Sequence, residues 1–116
     1  MNQSALHFTS RQDVSNDDMI AVARHADALG YHSFWTGESW GRDAFTILTM
    51  LACNTSSLKL ATGIVPVFSR SPGLIAQSIA SLDQISQGRA ILGLGTSGRA
   101  VIENWHGVPF RQPLQR

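Results

Sequence analysis

The sequence predicts an α/β fold built around a parallel sheet. Three observations predict it. Strand-like and helix-like segments alternate in the order β-α-β-α-β-α-β. Each helix-like segment opens on a capping residue and closes at a glycine or a polar turn. No linker, repeat or low-complexity stretch divides the 116 residues, so positions 1–116 read as a single domain. Alternation of this kind implies right-handed βαβ crossovers and a parallel sheet covered on both faces.

Residues 4–10 (SALHFTS) supply a short first strand with little apolar character. Ser15 then caps a helix, with Asp18 three residues on in a capping-box arrangement. Met19, Ile20, Ala23, Ala26 and Leu29 recur at helical spacing, and Gly30 is the stop. Tyr31–Thr36, rich in aromatics, is the second strand. Asp43 caps a second helix running to about Cys53, with apolar residues around most of its surface, which predicts deep burial. The turn Asn54-Thr55-Ser56-Ser57 leads into a third strand, Leu58–Val65. Ser71 followed by Pro72 marks the third helix, which Gly88 ends. Ala90–Leu94 is a compact fourth strand, followed by a loop and a short helix through Trp105. Four strands and three helices suit either a small open sheet or half of a closed barrel. Periodicity does not choose between them.

Composition narrows the function classes. The net charge of +1 lacks the excess of basic residues that a nucleic-acid-binding face needs. The longest apolar run falls well short of the roughly 20 residues of a membrane span. Met1-Asn2-Gln3-Ser4 does not begin a secretory signal. A single cysteine, Cys53, rules out an intrachain disulfide and suits a cytoplasmic location; its apolar helix predicts a buried, inert thiol. The histidines show no metal-ligand spacing, so no metal site is expected.

In parallel α/β folds, ligands gather at the C-terminal ends of the strands. Here those ends are Phe8–Arg11, Thr36–Arg42, Thr62–Arg70 and Gly95–Arg99. Glu38, after the second strand, is either an acid, base or hydrogen-bond acceptor, or a solvated loop carboxylate. Trp35 and Trp40 serve either to stack on an aromatic ligand or to pack in the interior. Gly63 either admits a flat ligand or an unusual peptide geometry, or is a simple bulge. Gly93 to Gly98 fits G-x-G-x-x-G, yet it follows the fourth strand and no βαβ unit succeeds it, which disfavours a dinucleotide site. The 95–98 loop either offers backbone N–H groups and two hydroxyls to a phosphate or ring, or is a tight turn into the next helix. Among the histidines, His106 is the best functional candidate. Arg70 stands on the ligand side, whereas Arg89 suits a structural pairing.

Several stretches together resemble the luciferase-like monooxygenases. They are Ala26 to Trp35 (ADALGYHSFW), Leu60 to Val67 (LATGIVPV), and Leu82 to Arg89 (LDQISQGR) followed by Leu92 to Gly95 (LGLG). Gly95-Thr96-Ser97-Gly98 with Trp105-His106-Gly107-Val108-Pro109-Phe110 is most similar to the branch that uses the deazaflavin coenzyme F420. The resemblance implies the N-terminal half of a TIM (β/α)8 barrel, a complete barrel needing roughly 250 residues. It implies a cis peptide between Gly63 and Ile64. It also implies a coenzyme site formed by Thr62, Gly63, Ile64, Thr96, Ser97 and Gly98, with catalytic roles for Glu38 and His106. The implied reaction is hydride transfer between F420 and a small organic substrate; FMN in a monooxygenase of the same fold is the alternative. A half-barrel leaves two strand edges and an apolar face open, which predicts either self-association, with a noncatalytic fragment as one form of it, or pairing with a C-terminal half.

Overall fold

The computed structural model of the protein describes residues 3–8 and 13–116. Its elements are β1 (Ala5–Phe8), α1 (Asn16–Ala28), β2 (Ser33–Thr36), α2 (Ala44–Ala52), β3 (Lys59–Thr62), β4 (Val65–Pro66), α3 (Pro72–Ser86), β5 (Ala90–Ile91) and β6 (Leu94–Gly95). A π-helical turn, Val101–Trp105, follows. Positions 9 and 10 of the expected first strand, and positions 9–11 of the first ligand-side segment, lie outside the described residues.

All three helices start where local chemistry places them. Ser15 Oγ accepts the Asp18 N–H at 3.1 Å, Asp43 accepts the Thr46 N–H at 2.6 Å, and Ser71 Oγ accepts the Leu74 N–H at 3.1 Å. Each bond satisfies a donor that the first helical turn cannot pair. At its far end, α3 closes with Gln87 in the left-handed region (φ 59°), ahead of Gly88. Cys53 corrects an expectation. It sits at the C-cap of α2, one position past the last buried residue, Ala52, and its side chain is exposed.

Strands β1, β2, β3 and β5 form a parallel sheet in that order. Leu6, Phe34, Leu60 and Ala90 align across it. This row meets Met19, Ala23 and Ala26 of α1, Ile47, Leu48 and Leu51 of α2, and Leu82 of α3 in one apolar core. Phe8 stacks on Phe34 with ring centroids 5.8 Å apart. Among the described residues, no helix is long and apolar enough to cross a membrane.

The third and fourth strands depart from the continuous runs that the sequence predicts. Each breaks near its C-terminal end, and the two outer pieces, β4 and β6, pair with each other as a separate parallel ribbon. The first break is at Gly63–Ile64, whose peptide is cis, as the resemblance implies. The second is at Gly93, whose N–H and C=O both turn to the Thr62 hydroxyl (2.8 and 2.9 Å). The Gly93 carbonyl also accepts the Val65 N–H at 3.0 Å.

At the N-terminal end of the sheet, two charged side chains tie the turns together. The Asp27 carboxylate accepts five bonds from the N–H and hydroxyl groups of Ser56 and Ser57 and the N–H of Leu58, at 2.6–3.1 Å. The Arg89 guanidinium donates to the carbonyls of Ala52, Thr55, Leu58 and Ser86 and to the Thr55 hydroxyl.

Candidate functional site

The break in β3 is held from both sides by close backbone contact. The Gly63 N–H donates to the Thr36 carbonyl at 2.8 Å, and the Glu38 N–H donates to the Ile64 carbonyl at 3.0 Å. A β-carbon on Gly37 would lie 2.5 Å from the Gly63 carbonyl oxygen, and one on Gly93 would collide with that of Thr62. Only glycine admits this approach. On its open side, the Gly63 carbonyl lies 3.4 Å from His7 Nε2. A β-carbon on Gly63 itself would touch the Trp35 ring at 3.1 Å.

Thr62, Gly63 and Ile64 are therefore one compact unit, and the structure brings it beside the 95–98 loop. The Ile64 side chain lies where a β-carbon on Gly95 would stand, 3.1 Å from its Cδ1. The Val67 N–H donates to the Gly95 carbonyl at 2.8 Å. Beyond Gly95, the Thr96 hydroxyl reaches the Ser97 carbonyl at 3.4 Å, and Ser97 adopts φ 58°. Gly98 has open space around it, and its carbonyl accepts the Ile102 N–H at 3.1 Å, which starts the next helical turn. The Thr62 hydroxyl is buried and spent on Gly93, so what this residue presents outward is backbone.

Glu38 and His106, 68 positions apart in the chain, line one cavity of about 240 Å³ together with Ser39, Asp43, Arg70 and Trp105. The Glu38 side chain is only 9% exposed and fully engaged. Its Oε1 accepts the Ala44 N–H at 2.9 Å, at the start of α2. Arg70 donates to both of its oxygens, at 2.7 and 2.8 Å. Arg70 also pairs with Asp43, and hydrogen bonding to Glu38 raises its pKa. Burial pushes the Asp43 carboxyl up, but bonds from Thr46 and the Arg70 charge outweigh this and hold it below the usual range. Of the two readings open at Glu38, the solvated loop carboxylate gives way to a part-buried ion pair with Arg70.

Sequence reasoning singled out Trp40, Arg70 and His106, but it missed Trp105 and gave Asp43 only a capping role. Trp105, 57% exposed, meets Trp40, 50% exposed, edge-on with centroids 6.0 Å apart. His106 sits where a π-helical bond, from its own N–H to the Val101 carbonyl at 3.2 Å, ends the turn. The sequence signals were the tryptophan spacing and the acid–base pair Asp43 and Arg70, and only the fold joins them.

The family model for luciferase-like monooxygenases matches residues 3–116. The chain belongs to this family. A luciferase-like relative from Mycobacterium tuberculosis, provisionally named a coenzyme F420-dependent oxidoreductase, is 38% identical over 99 residues. That match covers 85% of this chain and 28% of the relative. The structure of the coenzyme F420-dependent tetrahydromethanopterin reductase from Methanopyrus kandleri superposes with a TM-score of 0.82 at 29% identity, over 94% of this chain and 31% of that one. The monooxygenase RslO1 from Streptomyces bottropensis gives 0.86 at 25% identity, over 99% and 39%. These luciferase-like structures are TIM barrels, and this chain spans about a third of their length.

Proposed function

We propose that this chain forms the N-terminal, coenzyme-facing part of an F420-dependent oxidoreductase, acting in hydride transfer to or from a small organic substrate. The observation that carries the reading is the unit at Thr62–Ile64, lying against Gly95 at the C-terminal end of the sheet. Its chemistry fits a flat ring with a hydroxyl- and phosphate-bearing tail. Gly63 presents peptide with no side chain, while Thr96 and Ser97 bring two hydroxyls and Gly98 leaves open space. The hydride chemistry belongs to the coenzyme when bound; the protein contributes orientation and electrostatics. Thr62, Gly63 and Ile64 back the ring, and Thr96, Ser97 and Gly98 hold the remainder. His106 and Glu38 face the substrate side, where His106 is the group free to move a proton. The 38% identity to the Mycobacterium tuberculosis relative supports F420 as the coenzyme.

In a second reading FMN takes the same place; the oxygenating constituent of 3,6-diketocamphane monooxygenase from Pseudomonas putida, which shares this fold, is in complex with FMN. In either case β1 and β5 are the outer strands of the four-stranded sheet, so completing a barrel calls for further βα units or a second copy of the chain. The cytoplasm is the proposed compartment. The test is a fluorescence titration of the 116-residue chain with F420, and with FMN in parallel. Saturable binding that is tighter for F420 supports the first reading, and tighter FMN binding supports the second. Binding of neither overturns both for this chain. Light scattering on the same samples reads the association state.

A further inference from the structure

Arg70 stands on the loop after β4, yet most of its bonds leave that loop. Two of its nitrogens reach the two Glu38 oxygens, one of them also reaches Asp43, and the other lies 3.0 Å from Ser69 Oγ. Its guanidinium carbon lies 5.1 Å from the centre of the Phe45 ring. Glu38 passes the constraint on in two directions. Its carboxylate takes the first N–H of α2, and its own N–H holds the Ile64 carbonyl. Trp40 lies between Glu38 and Asp43 in the chain, and both ends of that segment are gripped by the one guanidinium.

We propose that Arg70 is the positioning residue of this site: by clamping Glu38 and Asp43 with one planar fork, it fixes the loop after β2, seats Trp40 against Trp105 beside His106, and steadies the Ile64 end of the break in β3. The physical case is one of geometry and charge. Side-chain exposures of 15% for Arg70 and 9% for Glu38 leave little water to replace the pair. Two carboxylates share one cation here, so its removal sets like charges against each other. A lysine keeps the charge but cannot form the planar double contact.

The proposal rests on the reading of this face as a coenzyme site only for its second readout. The first is the near-ultraviolet circular dichroism of the tryptophans, with Trp40→Phe marking the signal of the Trp40–Trp105 pair. Arg70→Met is expected to remove that signal while the far-ultraviolet spectrum stays native, and Arg70→Lys is expected not to restore it. The second readout is the coenzyme titration, in which Arg70→Met is expected to bind roughly tenfold more weakly, the equivalent of about 1.4 kcal/mol. If Arg70→Met does not fold, Glu38→Gln replaces it, because it removes the ion pair and keeps an acceptor for the Ala44 N–H. An unchanged tryptophan signal in the folded variant, or full recovery with lysine, overturns the proposal. If the unaltered chain binds no coenzyme, the functional reading fails, and the tryptophan signal still decides the role of Arg70.

Discussion

Thr62 and Gly93 exchange two hydrogen bonds through one hydroxyl group. Thr62 Oγ1 donates to the Gly93 carbonyl at 2.9 Å and accepts the Gly93 N–H at 2.8 Å. A side chain from β3 thereby stands in for a stretch of backbone ladder and breaks the neighbouring strand. Valine matches threonine in shape and lacks both bonds. Thr62→Val is expected to cost about 1–3 kcal/mol, because it leaves the Gly93 N–H without its acceptor, while the Gly93 carbonyl keeps only the Val65 N–H. Urea denaturation measures this directly.

Gly37 and Gly93 press on the break in β3 from opposite strands, and each has backbone oxygen where a β-carbon would go. Backbone cannot swing aside as a side chain can. Gly93→Ala and Gly37→Ala are each expected to lower stability by about 1–3 kcal/mol. Gly98→Ala, at a position with open space, is the control and is expected to leave the denaturation midpoint close to that of the unaltered chain.

Asp27 makes stability depend on acid. Burial pushes its carboxyl up, but the N–H groups of Ser56, Ser57 and Leu58 and the Ser57 hydroxyl outweigh this and bring it from 3.8 down to about 2. A carboxyl whose pKa falls on folding stabilises the fold above its unfolded value and loses that contribution as pH drops through the folded one. Stability is therefore expected to decline between pH 3.8 and about 2, and Asp27→Asn is expected to flatten this part of the profile. At neutral pH, Asp27→Ala is expected to cost about 1–3 kcal/mol. Denaturant midpoints across the acid range check both.

Arg89 feeds carbonyls at the end of α2, in the turn before β3 and at the end of α3. Lysine offers one nitrogen where these acceptors need a fork. Arg89→Lys is expected to destabilise by about 1–3 kcal/mol, although the charge is kept. Thermal unfolding followed by circular dichroism reads the change.

What was legible in the sequence was local. Ser15, Asp43 and Ser71 announce helix starts because a cap acts within three residues. The break at Gly63 was one of the readings open to that glycine, and the cis peptide followed from the resemblance. The break at Gly93 was not legible, since its cause is a hydroxyl 31 positions earlier. Glu38 and Arg70 each stand out at the ligand side of the sequence, but their pairing depends on the sheet bringing two loops together. Nothing local marks Asp27, because the three residues that bond it lie about 30 positions downstream. The Cys53 expectation failed because an apolar helix pattern does not say which residue lies beyond its last buried turn.

The anchors at Asp27 and Arg89 sit at one end of the sheet, and Gly37, Trp40, Trp105 and His106 at the other. This division separates two kinds of selection. A change at an exposed position among the loops at the far end leaves the anchoring bonds untouched, so those loops can be rebuilt while the foundations stand. A change at Asp27 or Arg89 offers no new chemistry in return for the stability it removes. Variation across descendants of such a chain should therefore be lopsided, crowded at the exposed loop positions of the far end and sparse at the turn from Asn54 to Ser57 and at Gly37 and Gly93, which admit no side chain.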